Sequence, residues 1–414
     1  MKTIRILMKL AWRNLWRNVR RTLITMVAIG LGLALAMISI GLGDGGHEQM
    51  IESGVRMGAG HITVQPLGYQ KNPSNDKIIT DDALIMEALK DIPHVREVSS
   101  RIVGKGLISS AANSSGIAFR AVDPGKAGDK SLLAPHLISG DYLAAGEAGG
   151  ILIGEKLAQK LKVSVGKKVV LMGQDASREV SSALFRVKGI YKTGVSDLDG
   201  YFCLISLKGA RHFLGLEQGV TQVAVYLDSQ FEVEKALPLL RSRLGALPVE
   251  ALPWQEVMPD LLKFVQLDDA GNYFFLGIIL VIVALGILNT ILMSVLERTR
   301  EFGMMLALGL SPRFLFLMII FETTLLALLS MVLGGGLGFG GHHYFATVGL
   351  DLTGLTPERL TLAGTIISPI LYSHLRLMRI VGLLIIIFLV TLITGLYPAV
   401  KASRLAPIKA IYQY

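Results

Sequence analysis

The chain has 414 residues, of which 51% are hydrophobic and 18% charged, a balance that implies an integral membrane protein with room for a sizeable soluble part. Its formal net charge of +9 does not argue for nucleic acid, because the basic residues collect at the ends of apolar runs, where they set membrane topology. A single cysteine, Cys203, excludes an intramolecular disulfide and any cysteine-based zinc or iron–sulfur cluster.

Residues 1–21 carry Lys2, Arg5, Lys9, Arg13, Arg17, Arg20 and Arg21 and no acid, and positions 5, 9, 13, 17 and 21 recur every four residues. That spacing predicts an interfacial amphipathic helix with a cationic stripe, lying in the cytoplasmic headgroup layer with Trp12 and Trp16 beside Arg13 and Arg17 at the membrane interface. Residues 22–43 hold no charge and make about 33 Å of helix, enough for a first membrane span. A cleaved signal peptide is the rival reading, but the run is longer than an ordinary signal core.

Residues 44–272 contain no spanning segment and mix short strands with short helices, the pattern of an α+β extracytoplasmic domain. Strands are expected around Ile62 and Val64, around Phe185, Val187 and Tyr191, and around Val223, Val225 and Leu227. Helices are expected after Asp81-Asp82, over Gly154–Leu161 and over Glu232–Leu244. From Trp254 a helical pattern continues toward Tyr273, so the second span, 273–296, should project as a stalk. Asn289 is its notable polar residue. A third span, 312–345, carries Glu322 and a series of glycines suited to close helix approach. An outer loop (346–379), a fourth span (380–400) and a basic tail (401–414) complete the chain, with both termini and the 297–311 segment on one side.

That segment, ERTREFGMMLALG, lies between two apolar runs and reads as a helix that docks a partner. Glu297 and Arg300, and Arg298 and Glu301, are spaced to pair along a helix. Phe302, Met305, Leu306 and Gly309 follow at i, i+3, i+4 and i+7, a stripe that a partner groove could accept, with Gly303 beside it. Gly309 can end the helix, and Ser311-Pro312 can cap and open the next. An ordinary charged loop is the alternative. Glu322, a carboxylate inside a span, is either a functional site or a buried structural partner, for instance of Asn289. Adjacent His342 and His343 point apart on a helix and do not make a shared metal site.

Three stretches carry a family resemblance: AWRNLWRNVRRTLIT at Ala11–Thr25, GILNTILMSVLERTREFGMMLALG at Gly286–Gly309 and YPAVKASRLAPIKAI at Tyr397–Ile411. With ILIGEKLAQKLKVSVGKKVVL at Ile151–Leu171, they resemble the FtsX-like and MacB-like permeases of ATP-binding-cassette systems, including the lipoprotein-releasing LolC and LolE subunits. The resemblance implies a membrane α-helical fold of four transmembrane helices, with a large periplasmic α+β domain of two lobes inserted between helices 1 and 2. One lobe, near residues 116–212, is expected to be inserted in the other.

The same resemblance implies a bacterial inner-membrane permease subunit. It would pair with a second permease subunit and a separate ABC ATPase subunit, extract lipoproteins for a periplasmic carrier and contact membrane lipids. Length and order are similar to LolC or LolE, whereas the ERTREFG wording is closer to MacB. Export of peptides or small amphiphiles, and FtsX-like regulation of cell-wall hydrolases, therefore stand as alternatives. The sequence contains no G-x-x-x-x-G-K-[ST] loop, so ATP and Mg are expected on the partner ATPase and no cofactor on this chain; Gly166-Lys167-Lys168 lacks both the upstream glycine and the hydroxyl residue.

Overall fold

A computed structural model describes residues 2–126, 133–245, 247–353, 361–362, 365–366 and 370–406. Part of the expected outer loop, including Pro357 and Pro369, and the tail from residue 407 lie outside the described residues. The chain forms two compact units, one of residues 1–47, 266–351 and 370–414 and one of residues 48–265 and 352–369.

The second unit is built on a mixed sheet of ten strands: β1 Ile62–Pro66, β2 Val95–Ser109, β3 Ser114–Val122, β4 Leu137–Gly140, β5 Gly150–Gly154, β6 Lys168–Gln174, β7 Val180–Tyr191, β8 Phe202–Ser206, β9 Gln222–Leu227 and β10 Val249–Pro253. Its order, β10-β1-β9-β2-β3-β8-β5-β7-β4, is closed on itself in one place, because β6 pairs with both β2 and β7. The strands β2, β3, β8, β5, β7 and β6 therefore form a six-stranded ring. Strand β2 serves both lobes: Val95–Arg101 pairs with β9 in the open sheet, and Ile102–Ser109 pairs with β3 in the ring.

Alternation explains the ring. Phe185 and Val187 on β7, Val169 and Leu171 on β6, Ile117 and Phe119 on β3, and Cys203 and Ile205 on β8 are all buried together. In the open sheet, β1 departs from simple alternation: Thr63 and Gln65 are buried along with Ile62 and Val64. Gln65 is satisfied by donating to Glu250 Oε1 at 3.1 Å on β10, so a polar side chain reads as exposed in sequence and is covered in the fold.

Short helices close these lobes: α3 Asp82–Leu89, α4 Glu155–Leu161, α5 Ser196–Tyr201, α6 Leu207–Leu214, α7 Val233–Leu244 and α8 Trp254–Val257. Asp81 caps α3 by accepting from the Leu84 N–H at 3.2 Å, and Ser206 caps α6 by accepting from Gly209 at 3.1 Å.

The first unit is helical, with α1 Lys2–Leu15, α2 Val19–Gly54, α9 Pro259–Glu297, α10 Thr299–Ala307, α11 Pro312–Thr347 and α12 Leu377–Ser403. Among the described residues, four helices are long and apolar enough to span a membrane, and the β-rich domain is inserted between the first two. Helices α2 and α9 begin in one unit and end in the other; α9 is unbroken for 39 residues, about 58 Å. The basic N-terminal segment is not one helix, since a 3-10 turn at Trp16–Asn18 separates α1 from α2.

The glycine series of α11 splits by face. A Cβ at Gly334 would sit 2.5 Å from the Gly30 carbonyl oxygen, and one at Gly338 would sit 2.7 Å from Met37 Sδ, whereas Gly335, Gly336 and Gly340 have open space. Two of the glycines thus let α2 and α11 approach backbone to backbone.

Candidate functional site

The site is assembled where α9 stops. Helical geometry fails at Arg298 (φ −103°, ψ 11°), α10 restarts at Thr299, and Gly309 at φ +92° turns the chain away after Ala307. Ser311 then accepts from the Phe314 N–H at 3.3 Å, with Pro312 in the first turn of α11. The result is an elbow that brings charges from four helices together.

Arg17, from the turn after α1, grips Glu301 of α10 with both guanidinium nitrogens, at 2.7 and 2.5 Å. Arg298 continues the chain of alternating charge: its Nε lies 3.5 Å from Glu301 and its Nη1 3.3 Å from Glu322 on α11. Its guanidinium also lies over the Phe302 ring, 4.8 Å from the centroid. Arg21, at the start of α2, pairs with Glu297 at the end of α9. The Arg17 hydrogen bond, with its charge, holds the Glu301 carboxyl below the usual carboxylate range.

A cavity opens beside this network, lined by the charges Arg21, Arg298 and Glu322 and by both polar and apolar side chains, among them Thr290, Phe302 and Ile319. Thr25 and Thr290 meet at 3.0 Å across it, joining α2 to α9.

The structure redistributes several expected roles. Phe302 is fully buried, Gly303 is buried beside it, and Met305 and Leu306 pack partly against the unit's own apolar core. Of the stripe expected to meet a partner, Phe302 is therefore an internal anchor, which corrects that expectation for Phe302, whereas Met305 and Leu306 are only half-buried and Gly309 is exposed. The exposed face of α10 is Arg300, Met304, Ala307 and Leu308, at i, i+4, i+7 and i+8, with Leu308 86% exposed, and Gly309 is exposed at its end. Glu297 is held by Arg21 across helices, whereas the expected Arg298–Glu301 pair is present.

Glu322 takes Arg298, not Asn289, as its partner, and Asn289 is exposed on the outside of α9. Trp12 of α1 and Trp16 of the turn after it are exposed and pack edge to face, 5.8 Å apart, with Arg13 exposed beside them. Leu7, Ala11 and Leu15 form the buried side.

None of the long-range pairs was read from the sequence, because Arg17–Glu301 and Arg21–Glu297 join positions 284 and 276 residues apart. The available signal was one-sided: a run of cations with no local acid, and a four-charge cluster elsewhere.

Two family models match the chain, the MacB-like periplasmic core domain over residues 22–242 and the FtsX-like permease C-terminal region over residues 273–407. Among curated relatives, the macrolide export ATP-binding/permease protein MacB of Wolinella succinogenes is 24% identical over 98% of this chain, and the chain spans only 60% of that protein's length. The lipoprotein-releasing system transmembrane protein LolC of Xylella fastidiosa is 23% identical over 88% of this chain and 87% of its own. Among solved structures, the periplasmic region of MacB from Actinobacillus actinomycetemcomitans matches 48% of this chain and 90% of its own, at 13% identity and a TM-score of 0.35.

Proposed function

The chain belongs to the family of ABC transporter permeases that join a MacB-like periplasmic core domain to an FtsX-like permease region, and from that premise we propose that it transmits the work of a separate ATPase subunit to its extracytoplasmic domain. The observation that carries the reading is the elbow at α10. Its inner face is fixed by Phe302 and by the Arg17–Glu301–Arg298–Glu322 series, while Met304 and Leu308 stand exposed for a partner. A force on α10 would load the turn after α1 and helix α11 through Arg17 and Glu322, while the Arg21–Glu297 pair ties α2 to the end of α9. Unbroken α9 would carry that load along its length.

In this scheme Arg300, Met304 and Leu308 meet the ATPase, ATP and Mg are bound there, and a second permease subunit completes the complex in an inner membrane. The exposed polar Asn289 on a spanning helix suits a contact with that second subunit. The substrate class favoured is lipoprotein, supported by the near full-length correspondence with LolC. Export of an amphiphile is the second reading, favoured by the correspondence with MacB over residues 22–242.

The test is co-purification with the ATPase. Leu308→Asp places a carboxylate in the proposed contact without touching the core and should abolish binding while the permease stays folded; undiminished binding would refute the α10 contact. For the substrate, depletion should leave lipoproteins in the inner-membrane fraction. Normal lipoprotein sorting with new sensitivity to amphiphilic toxins would replace this with the export reading.

A further inference from the structure

The first unit holds a second charge cluster that the coupling scheme does not use. Asp44 and His47 lie three residues apart on α2 and so share a face. Asp268 and Asp269 come from α9, and Arg379 from the first turn of α12. Asp44 is 3% exposed and His47 7%.

The hydrogen bonding is incomplete in an informative way. His47 Nε2 lies 2.7 Å from Asp268 Oδ2, a contact that requires the ring proton on Nε2. The other ring nitrogen, Nδ1, lies 3.8 Å from Asp269 Oδ1. Arg379 bonds one oxygen of Asp44, and its Nη1 is 3.7 Å from Asp269 Oδ1. The other Asp44 oxygen, Oδ2, is buried without any hydrogen-bond partner. Three carboxylates gather beside Arg379, with Arg376 and His47 also acting on Asp44. An orphaned buried carboxylate oxygen is costly, and a bound cation would satisfy it.

We infer that Asp44, His47 and Asp269 form a divalent-cation site suited to zinc. One ligand atom from each lies within 4.8 Å of the others. Tetrahedral zinc ligands sit about 3.4 Å apart, so the site would close on the ion by up to about 1.4 Å. Asp268 is a positioning residue: by accepting from Nε2–H it aims Nδ1 at the metal, the arrangement by which carboxylates orient ligating histidines. One imidazole with two carboxylates leaves a fourth position for water, and the ion would tie α2 to α9.

The experiment uses the full chain in detergent, stripped with EDTA and titrated with zinc chloride by calorimetry. One saturable zinc per chain is expected, with a rise in melting temperature. His47→Ala should abolish both, and Asp268→Asn, which keeps shape and hydrogen-bonding capacity, should weaken binding about 10- to 100-fold. His343→Ala, on the exposed side of α11, should leave binding unchanged. Absence of saturable one-to-one binding, or binding of wild-type strength in His47→Ala, would overturn the site and leave the cluster an ion-pair contact only.

Discussion

The β-ring of the second unit and the elbow of the first are held by opposite means. In the ring, Phe119, Phe185, Val187 and Cys203 fill the interior with apolar volume, and Phe119 meets Phe213 edge to face at 5.7 Å. In the elbow, Arg17, Arg21, Glu297 and Glu322 each find a partner on another element. An apolar core loses little to a substitution that preserves volume, whereas removing one member of an ion network strands its partner. The ring is therefore suited to be a stable body, and the elbow to register a change in one helix at the elements paired with it.

The largest expected effect tests the ring. Phe119→Ala should cost about 3–5 kcal/mol of stability in chemical denaturation, with no second-site charge change able to restore it. In the elbow, Arg298→Ala should cost nearly as much, about 3 kcal/mol, because Arg298 is 8% exposed and its loss strands Glu322. Here a rescue is expected: Glu322→Gln added to Arg298→Ala should recover stability relative to the single variant, and a strictly additive double variant would show that the pair is not coupled.

Cys203 sharpens the contrast differently. It is fully buried in the ring, and burial pushes its thiol well above the usual range, so a maleimide should not label it until the domain is unfolded. Labelling under native conditions would mean that the ring opens readily.

The smallest effect belongs to the exposed end of the network. Arg17→Ala should cost about 1 kcal/mol or less, since the pair is half in solvent. Because the Glu301 carboxyl is held below its ordinary value, the contribution is fully present above the ordinary glutamate pKa and is lost as pH falls through the lowered one. Melting temperatures of wild type and Arg17→Ala should therefore converge only in acid; a constant gap across that range would contradict the assignment.

The sequence by itself determined what depends on local pattern. Four apolar runs of spanning length, the stop at Gly309, the Ser311-Pro312 start and the strands at Ile62, Phe185 and Val223 all follow from hydrophobic periodicity and backbone preference within about twenty residues. Only the tertiary structure decided which face of α10 is free. An amphipathic helix carries no mark of whether its apolar side meets its own core or a partner, and here Phe302 went inward while Leu308 stayed out. The same holds for the closure of the ring through β6 and for the pairing of Arg17 with Glu301 or His47 with Asp268. Each is a contact between residues distant in the chain, set by how the elements pack, and a charge or a strand edge specifies the kind of partner it needs without specifying which one.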